Sequence, residues 1–245
     1  MTMTVARSGS RTIDVAGFPL RVRVQGTGDP LLLLNGLTRP LESWEPFTRA
    51  VRGRQVISID APGVGASPAP RLPVSVTLLA RLAVVVLDEV GVARADVLGF
   101  SHGGAVAQQL AADLPGRVRC LVLVSTSCGV GAAAGRVSLR QLLAAPRDDD
   151  SWPRPDAMGT VWHALAISAW SSIPFLGAIA APTLVVSGEH DRVVPPGNSR
   201  LLARRIPDSE LALLAAGHDL QRGGQAQLLA DTVEDFLQRK GSGDV

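Results

Sequence analysis

Short apolar runs alternate with longer segments of helical periodicity along this chain. A short apolar or alternating run bounded by turn residues is typical of a strand, whereas apolar residues three and four positions apart are typical of a helix. The predicted strands are residues 12–15, 21–25, 31–34, 55–60, 96–100, 118–125, 182–187 and 210–215. The predicted helices are residues 44–51, a helix capped by Ser75 that runs to about Val90, and residues 102–114, 197–206 and 225–238.

This alternation predicts an α/β fold, with a mainly parallel central sheet and helices on both of its faces. Residues 31–34 are apolar at every position, which is typical of a strand that is covered on both faces. The first two strands are close in sequence, and we expect them to form an antiparallel pair.

The alternation stops between Thr126 and Ile173. We expect a core domain made of residues 1–125 and 174–245, and a cap segment, residues 126–173, inserted after the sixth strand. Long unpatterned segments within a compact domain are often functional, and this one holds three of the four tryptophans, Trp152, Trp162 and Trp170. We therefore predict that the cap segment is a lid whose tryptophans bind substrate. The alternative is an ordinary connection whose tryptophans fill the core.

The most specific local pattern is Gly99-Phe100-Ser101-His102-Gly103, a G-x-S-x-G sequence between a predicted buried strand and a predicted helix. In this context the serine lies on a sharp strand-to-helix turn that exposes its hydroxyl. The two glycines lack a Cβ, so the strand and the helix can approach closely. The pattern predicts that Ser101 is a nucleophile. The alternative is a tight glycine turn that contains an incidental serine.

A serine hydroxyl needs a base in hydrogen-bond contact and an acid that orients this base. Asp191 and His218 each follow a predicted buried strand, in the chain order serine, acid, histidine. Because the carboxyl ends of parallel strands share one edge of the sheet, the three residues can converge there. We predict that Ser101, Asp191 and His218 are the catalytic residues.

Rival groups are weaker candidates by position. His102 adjoins the nucleophile and is expected to line the pocket. His163 lies in the cap segment, and His190 lies in the loop of the acid. Only His218 follows the last predicted strand. Asp191 has more loop behind it than Glu189 with which to reach the histidine. Asp219 is adjacent to His218, where a suitable mutual orientation is difficult.

Acyl transfer also needs backbone donors that stabilise a developing oxyanion. We predict that the N–H groups of Leu37 and His102 form this oxyanion hole, although residues 35–36 also fit a plain Asn-Gly turn. The loop 60–67 resembles a phosphate-binding loop only superficially, because a further glycine and a lysine are lacking, and we interpret it as a structural turn. No metal or cofactor pattern is present, so we expect no cofactor and no metal.

Composition narrows the class of protein. Apolar residues make up 46% and charged residues 19%, which favours a large buried core over disorder. The net charge is only +2 and the arginines are scattered, so nucleic acid is not an expected partner.

Cys120 and Cys128 are expected to be free thiols. The first residues contain no apolar signal-peptide core and no apolar run spans a bilayer, so we expect a cytoplasmic protein. A homo-oligomer is compatible with the sequence.

From Leu31 to about Leu237, these features resemble the α/β-hydrolase superfamily. The segments 34–37 (Leu-Asn-Gly-Leu), 59–67, 103–109 and 200–207 are most similar to its intracellular polyhydroxyalkanoate depolymerase branch. The resemblance implies that Ser101, Asp191 and His218 match the family triad. It also implies that Leu37 and His102 match the oxyanion positions. The chain has Asn35 where a histidine is commoner, a shorter, alanine-rich cap than the depolymerases, and no tyrosine.

The resulting expectation is a serine esterase that cleaves a small-molecule or oligomeric ester of an apolar acyl group through an acyl-enzyme. A second interpretation is a lyase, cyclase or C–C bond hydrolase that uses the same residues as acid and base. A third is a ligand-binding protein, for which nothing requires the full set of three residues.

Overall fold

A computed structural model describes residues 9–135 and 152–241. Its sheet has eight strands in the order β1-β2-β4-β3-β5-β6-β7-β8. The strands are β1 (Ser10–Val15), β2 (Phe18–Gln25), β3 (Asp29–Leu34), β4 (Arg54–Ile59), β5 (Ala95–Phe100), β6 (Val118–Val124), β7 (Thr183–Gly188) and β8 (Ser209–Leu214). The pairs β1–β2 and β2–β4 are antiparallel and all other pairs are parallel, so the predicted fold class is confirmed.

Helices cover both faces of the sheet. Within the described residues they are α1 (Glu45–Ala50), α2 (Val76–Glu89), α3 (His102–Asp113), α4 (Ala157–Ser168), α5 (Pro196–Arg205) and α6 (Gln225–Gly241). The apolar residues of α2, α3 and α5 belong to one buried cluster, and those of α1 and α6 belong to the other. None of these helices combines the length and the apolar character that crossing a bilayer requires.

Strand β3 illustrates how the sequence produces this layered core. Leu32 and Leu34 pack into the cluster under α2 and α3, whereas Leu31 and Leu33 pack into the cluster under α1 and α6. Successive side chains of a strand point to opposite faces, so a strand between two helical layers has to be apolar throughout. This is the pattern seen in the sequence.

The helix starts follow simple capping chemistry. The hydroxyl of Ser75 accepts a hydrogen bond from the Leu78 N–H at 3.1 Å, as its predicted capping role requires. Asp156 does the same for α4, where its carboxylate accepts from the Gly159 N–H at 2.8 Å. Helix α4 was not predicted, and it lies in the cap segment. Residues 136–151 of that segment lie outside the described residues.

The two cysteines are free thiols, as expected, and both are buried. Cys120 belongs to the cluster under α1 and α6, and Cys128 belongs to the opposite cluster. The sheet therefore separates them.

Candidate active site

Ser101 lies on the sharp turn between β5 and α3, with φ 52° and ψ −116°. A positive φ is strained for a residue with a side chain, and such strain is often found at functional positions. The turn is fixed because the Ser101 N–H donates to the Val124 carbonyl at 2.9 Å, and the Ser101 carbonyl accepts from the Thr126 hydroxyl at 2.6 Å. A side chain on Gly99 or Gly103 would overlap neighbouring backbone atoms.

The loops after β7 and β8 bring Asp191 and His218 together. The His218 Nδ1 and the Asp191 Oδ2 are 2.8 Å apart. The other carboxylate oxygen of Asp191 accepts the N–H groups of Val193 and Val194, both at 2.8 Å. A carboxylate oxygen can only accept, so the Nδ1 of His218 carries a proton, and in the neutral ring the lone pair lies on Nε2. This is the tautomer that a general base needs.

His218 is held beside the serine turn. Its carbonyl accepts a hydrogen bond from the Ser125 hydroxyl at 3.0 Å, and its ring centroid is 5.0 Å from that of Phe100. Phe100 immediately precedes Ser101, so the histidine ring lies against the strand end that carries the serine. The structure thus groups the three predicted catalytic residues at one edge of the sheet.

The rival acids have other surroundings. Glu189 is exposed on the surface. Asp219 forms an ion pair with Arg39, with a closest N–O distance of 3.2 Å. This pair links the loop of the histidine to the loop after β3.

The loop after β3 is shaped by Asn35. Its side-chain carbonyl accepts the Gly36 N–H at 2.9 Å, and its amide group donates to the Pro40 carbonyl at 2.8 Å and to the Ser43 hydroxyl at 2.7 Å. A Cβ on Gly36 would lie 3.4 Å from the Cβ of Ser101, so this backbone passes directly beside the serine. The Leu37 N–H, one residue further, is thereby placed in the same region.

His102 is the first residue of α3, and its N–H has no acceptor within the helix. The positive end of the helix dipole favours negative charge at this point. The structure therefore places the two predicted oxyanion donors on the two segments that flank Ser101.

A cavity whose lining includes Leu37 and His102 extends between α2 and α3. Ser101, Asp191 and His218 are not part of its wall. The wall is formed mainly by apolar side chains, with a few polar groups from the loop after β3 and two histidines. Its members include Leu20, Leu34, Leu37, Thr38, Arg39, Ile59, Val64, Leu79, Leu82, His102, Val106 and His163.

The predicted tryptophans lie elsewhere, and none of the three contributes to this wall. Trp170 is 8% exposed and donates from its indole N–H to Gln109 at 2.7 Å. Trp162 donates to the Pro70 carbonyl at 3.2 Å. The ring of Trp152 lies under the Arg222 guanidinium, at 5.5 Å. Each indole is thus engaged by the protein itself.

The cap segment reaches the cavity through a different residue, His163 of α4. Its Nε2 donates to the Pro62 carbonyl at 2.9 Å, and its ring meets that of His102 edge to face, with centroids 5.0 Å apart. Burial, together with the nearby His163, lowers the pKa of His102 to about 3, and burial lowers the pKa of His163. Both rings are therefore neutral near pH 7.

The loop 60–67 has the structural role that was expected of it. The Asp60 carboxylate accepts hydrogen bonds from the Leu41 N–H at 2.8 Å, the Ala66 N–H at 2.9 Å and the Arg21 guanidinium at 2.6 Å. Burial raises the pKa of Asp60, and these donors counteract it. The carboxylate joins three segments of the chain on the far side of the cavity wall.

The α/β-hydrolase fold family matches residues 29–157 and 130–223. The poly(3-hydroxyalkanoate) depolymerase of Ectopseudomonas oleovorans is 34% identical over 94% of this chain and 93% of its own. The 2-hydroxymuconate semialdehyde hydrolase of Pseudomonas putida is 28% identical over 93% of both chains. The crystal structure of the enol-lactonase from Burkholderia xenovorans superposes with a TM-score of 0.83 and 26% identity, covering 93% of this chain and 100% of the enol-lactonase.

Proposed function

The chain belongs to the α/β-hydrolase family, and on that premise we propose that it is a serine esterase that cleaves esters of apolar acyl groups. The observation that carries this proposal is the 2.8 Å hydrogen bond between Asp191 and His218 beside a strained serine turn. Binding alone requires neither an oriented histidine tautomer nor a strained serine.

In the first half of the reaction, His218 Nε2 takes the proton of the Ser101 hydroxyl while the Ser101 Oγ forms a bond to the ester carbonyl carbon. The carbonyl oxygen becomes an oxyanion and accepts hydrogen bonds from the Leu37 and His102 N–H groups. As the tetrahedral intermediate collapses, the carbon–oxygen bond to the alcohol breaks, and the alcohol leaves with the proton from His218.

In the second half, a water molecule replaces the alcohol. His218 removes a proton from this water, the hydroxide attacks the acyl-enzyme carbonyl, and the same donors hold the second oxyanion. The bond to Ser101 Oγ then breaks, and the serine recovers its proton from His218. The acid is released and the enzyme returns to its starting state.

The apolar cavity supports an apolar acyl group. Its lining includes the residues of the two oxyanion donors, so a chain attached to the reacting carbonyl can extend from them between α2 and α3. Removal of this chain from water would supply binding free energy in proportion to its length. The 34% identity to a poly(3-hydroxyalkanoate) depolymerase also supports an ester with an alkyl chain.

The test is the hydrolysis of p-nitrophenyl esters from acetyl to octanoyl by the wild type and by Ser101→Ala. We expect kcat/KM to rise with chain length until the cavity is filled, and Ser101→Ala to lose several orders of magnitude. Ser168→Ala, which changes an exposed hydroxyl on α4, is the matched control. A kcat/KM that falls steadily from acetyl to octanoyl contradicts the assignment of an apolar acyl group.

The similarity to the 2-hydroxymuconate semialdehyde hydrolase favours a second candidate, the cleavage of a C–C bond by the same residues. In such a reaction Ser101 and His218 act as acid and base groups, so Ser101→Ala retains appreciable turnover. This candidate would be favoured if the wild type turned over 2-hydroxymuconate semialdehyde but hydrolysed none of the esters. Ester hydrolysis without turnover of the semialdehyde would exclude it.

A further inference from the structure

The backbone turn that carries the Leu37 N–H is strained. It spans residues 36–39 and is closed by a hydrogen bond from the Arg39 N–H to the Gly36 carbonyl at 3.1 Å. Thr38, its third residue, has a φ of 61°, a left-handed conformation that is unusual for a β-branched side chain. The Thr38 hydroxyl donates to the Leu37 carbonyl at 2.6 Å and so stays within the turn. Because such strain persists only where the surroundings impose it, contacts outside the turn are expected to hold it.

The Arg39 side chain supplies a contact of this kind. One nitrogen of its guanidinium donates to both carboxylate oxygens of Asp219, at 3.3 and 3.2 Å. The side chains of Arg39 and Asp219 are 14% and 36% exposed, so solvent ions screen this pair less than one on the open surface. The ion pair, called the clamp below, ties the turn to the residue that follows His218.

The Asp219 end of the clamp is itself well anchored. The His218 carbonyl belongs to the peptide bond that joins His218 to Asp219, and it accepts from the Ser125 hydroxyl and the Leu220 N–H, both at 3.0 Å. The Asp219 carboxylate also accepts from the Arg222 guanidinium at 3.5 Å. Asp219 is therefore a fixed point on the loop that carries His218.

The clamp connects two groups that serve the same carbonyl in the proposed reaction. His218 moves the proton of Ser101 while the Leu37 N–H stabilises the oxyanion, and a small displacement of either one relative to the other slows the reaction. Resting on the proposed esterase function, we propose that Asp219 and Arg39 are positioning residues that hold the Leu37 N–H in register with His218. Their effect is exerted through the backbone of the turn.

The test is steady-state hydrolysis of the preferred p-nitrophenyl ester by the wild type, Asp219→Ala, Arg39→Met and the double variant. The described lining of the cavity does not include Asp219. Asp219→Ala should therefore lower kcat by about tenfold or more while KM changes by less than about twofold, because a displaced oxyanion donor weakens binding of the transition state and not of the ester. Asp219→Glu, which keeps a carboxylate, should restore part of kcat.

The double variant separates the clamp from a direct effect of the Asp219 charge on His218. If the two side chains act through their contact, Arg39→Met adds little once Asp219 is already alanine. The double variant should then keep kcat within about twofold of the slower single variant. If the losses of kcat in the two single variants multiply instead, the residues act independently and the proposal is overturned.

Glu210→Ala is the matched control. It removes a carboxylate of similar exposure, 38%, from an ion pair with Arg239 at the opposite end of β8, where the closest N–O distance is 2.8 Å. Its kcat should stay within about twofold of the wild type. If Asp219→Ala loses no more kcat than Glu210→Ala in a protein that cleaves esters, the positioning role is rejected while the esterase proposal stands.

Amide hydrogen exchange, followed by NMR, tests the clamp without turnover. The Arg39 N–H closes the turn, so Asp219→Ala should speed its exchange by about tenfold or more, whereas Glu210→Ala should leave it unchanged. Equal exchange in the wild type and both variants would reject the clamp, whatever the ester kinetics. Faster exchange in Asp219→Ala of a protein that cleaves no ester would support the clamp and reject the esterase.

Discussion

Asp191 and His218 are 27 positions apart in sequence, and their side chains meet at 2.8 Å because their strands, β7 and β8, are parallel neighbours in the sheet. The 4% exposure of Asp191 keeps this hydrogen bond away from solvent. Two backbone N–H groups hold the second carboxylate oxygen, so the carboxylate is oriented before any substrate arrives. The orientation of the histidine is thus built into the sheet topology.

The first prediction concerns this carboxylate. Asp191→Asn should lower kcat for the best p-nitrophenyl ester by about 10⁴-fold, because an amide no longer enforces the tautomer that leaves the His218 Nε2 unprotonated. The fold should persist, since the amide oxygen can still accept the N–H groups of Val193 and Val194. Steady-state kinetics and circular dichroism check both statements.

Glu189→Gln is the matched control, because this carboxylate lies two positions away and is exposed. It should change kcat by less than about twofold. A large loss in Glu189→Gln together with a small loss in Asp191→Asn would reverse the assignment of the acid.

The second prediction concerns the close packing of the serine turn. A Cβ at Gly103 would overlap the carbonyl oxygens of Leu34 and Asn35. Because backbone atoms cannot move aside cheaply, Gly103→Ala should lower the free energy of unfolding by roughly 3 kcal/mol. Gly116→Ala, at a position with open space around it, should stay within about 0.5 kcal/mol of the wild type. Urea denaturation measures both, and equal stabilities would contradict the packing described.

The third prediction concerns pH. The pKa of His102 is about 3 in the folded protein because the ring is buried, whereas an unfolded histidine titrates near 6.5. Between these values the unfolded state binds a proton that the folded state does not, so the free energy of unfolding falls as the pH is lowered. The contribution of His102 is fully present above about pH 6.5 and is lost by about 1.4 kcal/mol per pH unit below it.

His102→Leu should therefore give a shallower loss of stability between pH 6 and pH 4.5 than the wild type, when urea denaturation is repeated at each pH. Val106→Ala removes apolar volume from the same wall and should lower stability without changing the slope. If the free energy of unfolding had the same slope against pH in the wild type and in His102→Leu, the folded protein would bind a proton at His102 as readily as the unfolded chain does, which would contradict the lowered pKa.

Much of the framework could be predicted from the sequence. The fully apolar run of β3 and the serine between Gly99 and Gly103 are local signals, because sheet layers and tight turns impose their requirements on consecutive residues. Most strand and helix ends lie within one or two residues of the prediction, whereas β2 begins three residues earlier and α6 ends three residues later. The positions of Asp191 and His218 at strand ends also follow from the alternation of elements.

The remaining features depend on long-range contacts. Helix α4 was missed because its own apolar residues are distributed around the whole helix, and Met158, Val161 and Leu165 are about half exposed. The sequence therefore shows no apolar face with helical periodicity. The one local signal for the start of this helix was Asp156, a residue type that often caps a helix N-terminus. The contact between His102 and His163 joins two distant parts of the chain that no sequence spacing connects. The three tryptophans, which the sequence predicts to bind substrate, are not among the residues that line the cavity.

The most direct test of the central claim is covalent labelling of the intact protein with a fluorophosphonate, followed by peptide mass spectrometry. Our account predicts one adduct, located on Ser101, which is absent in Ser101→Ala and forms at least about 10³-fold more slowly in His218→Ala because the base is missing. Labelling of Ser101→Ala at the wild-type rate, or a folded wild type that stays unlabelled, would contradict an activated serine nucleophile.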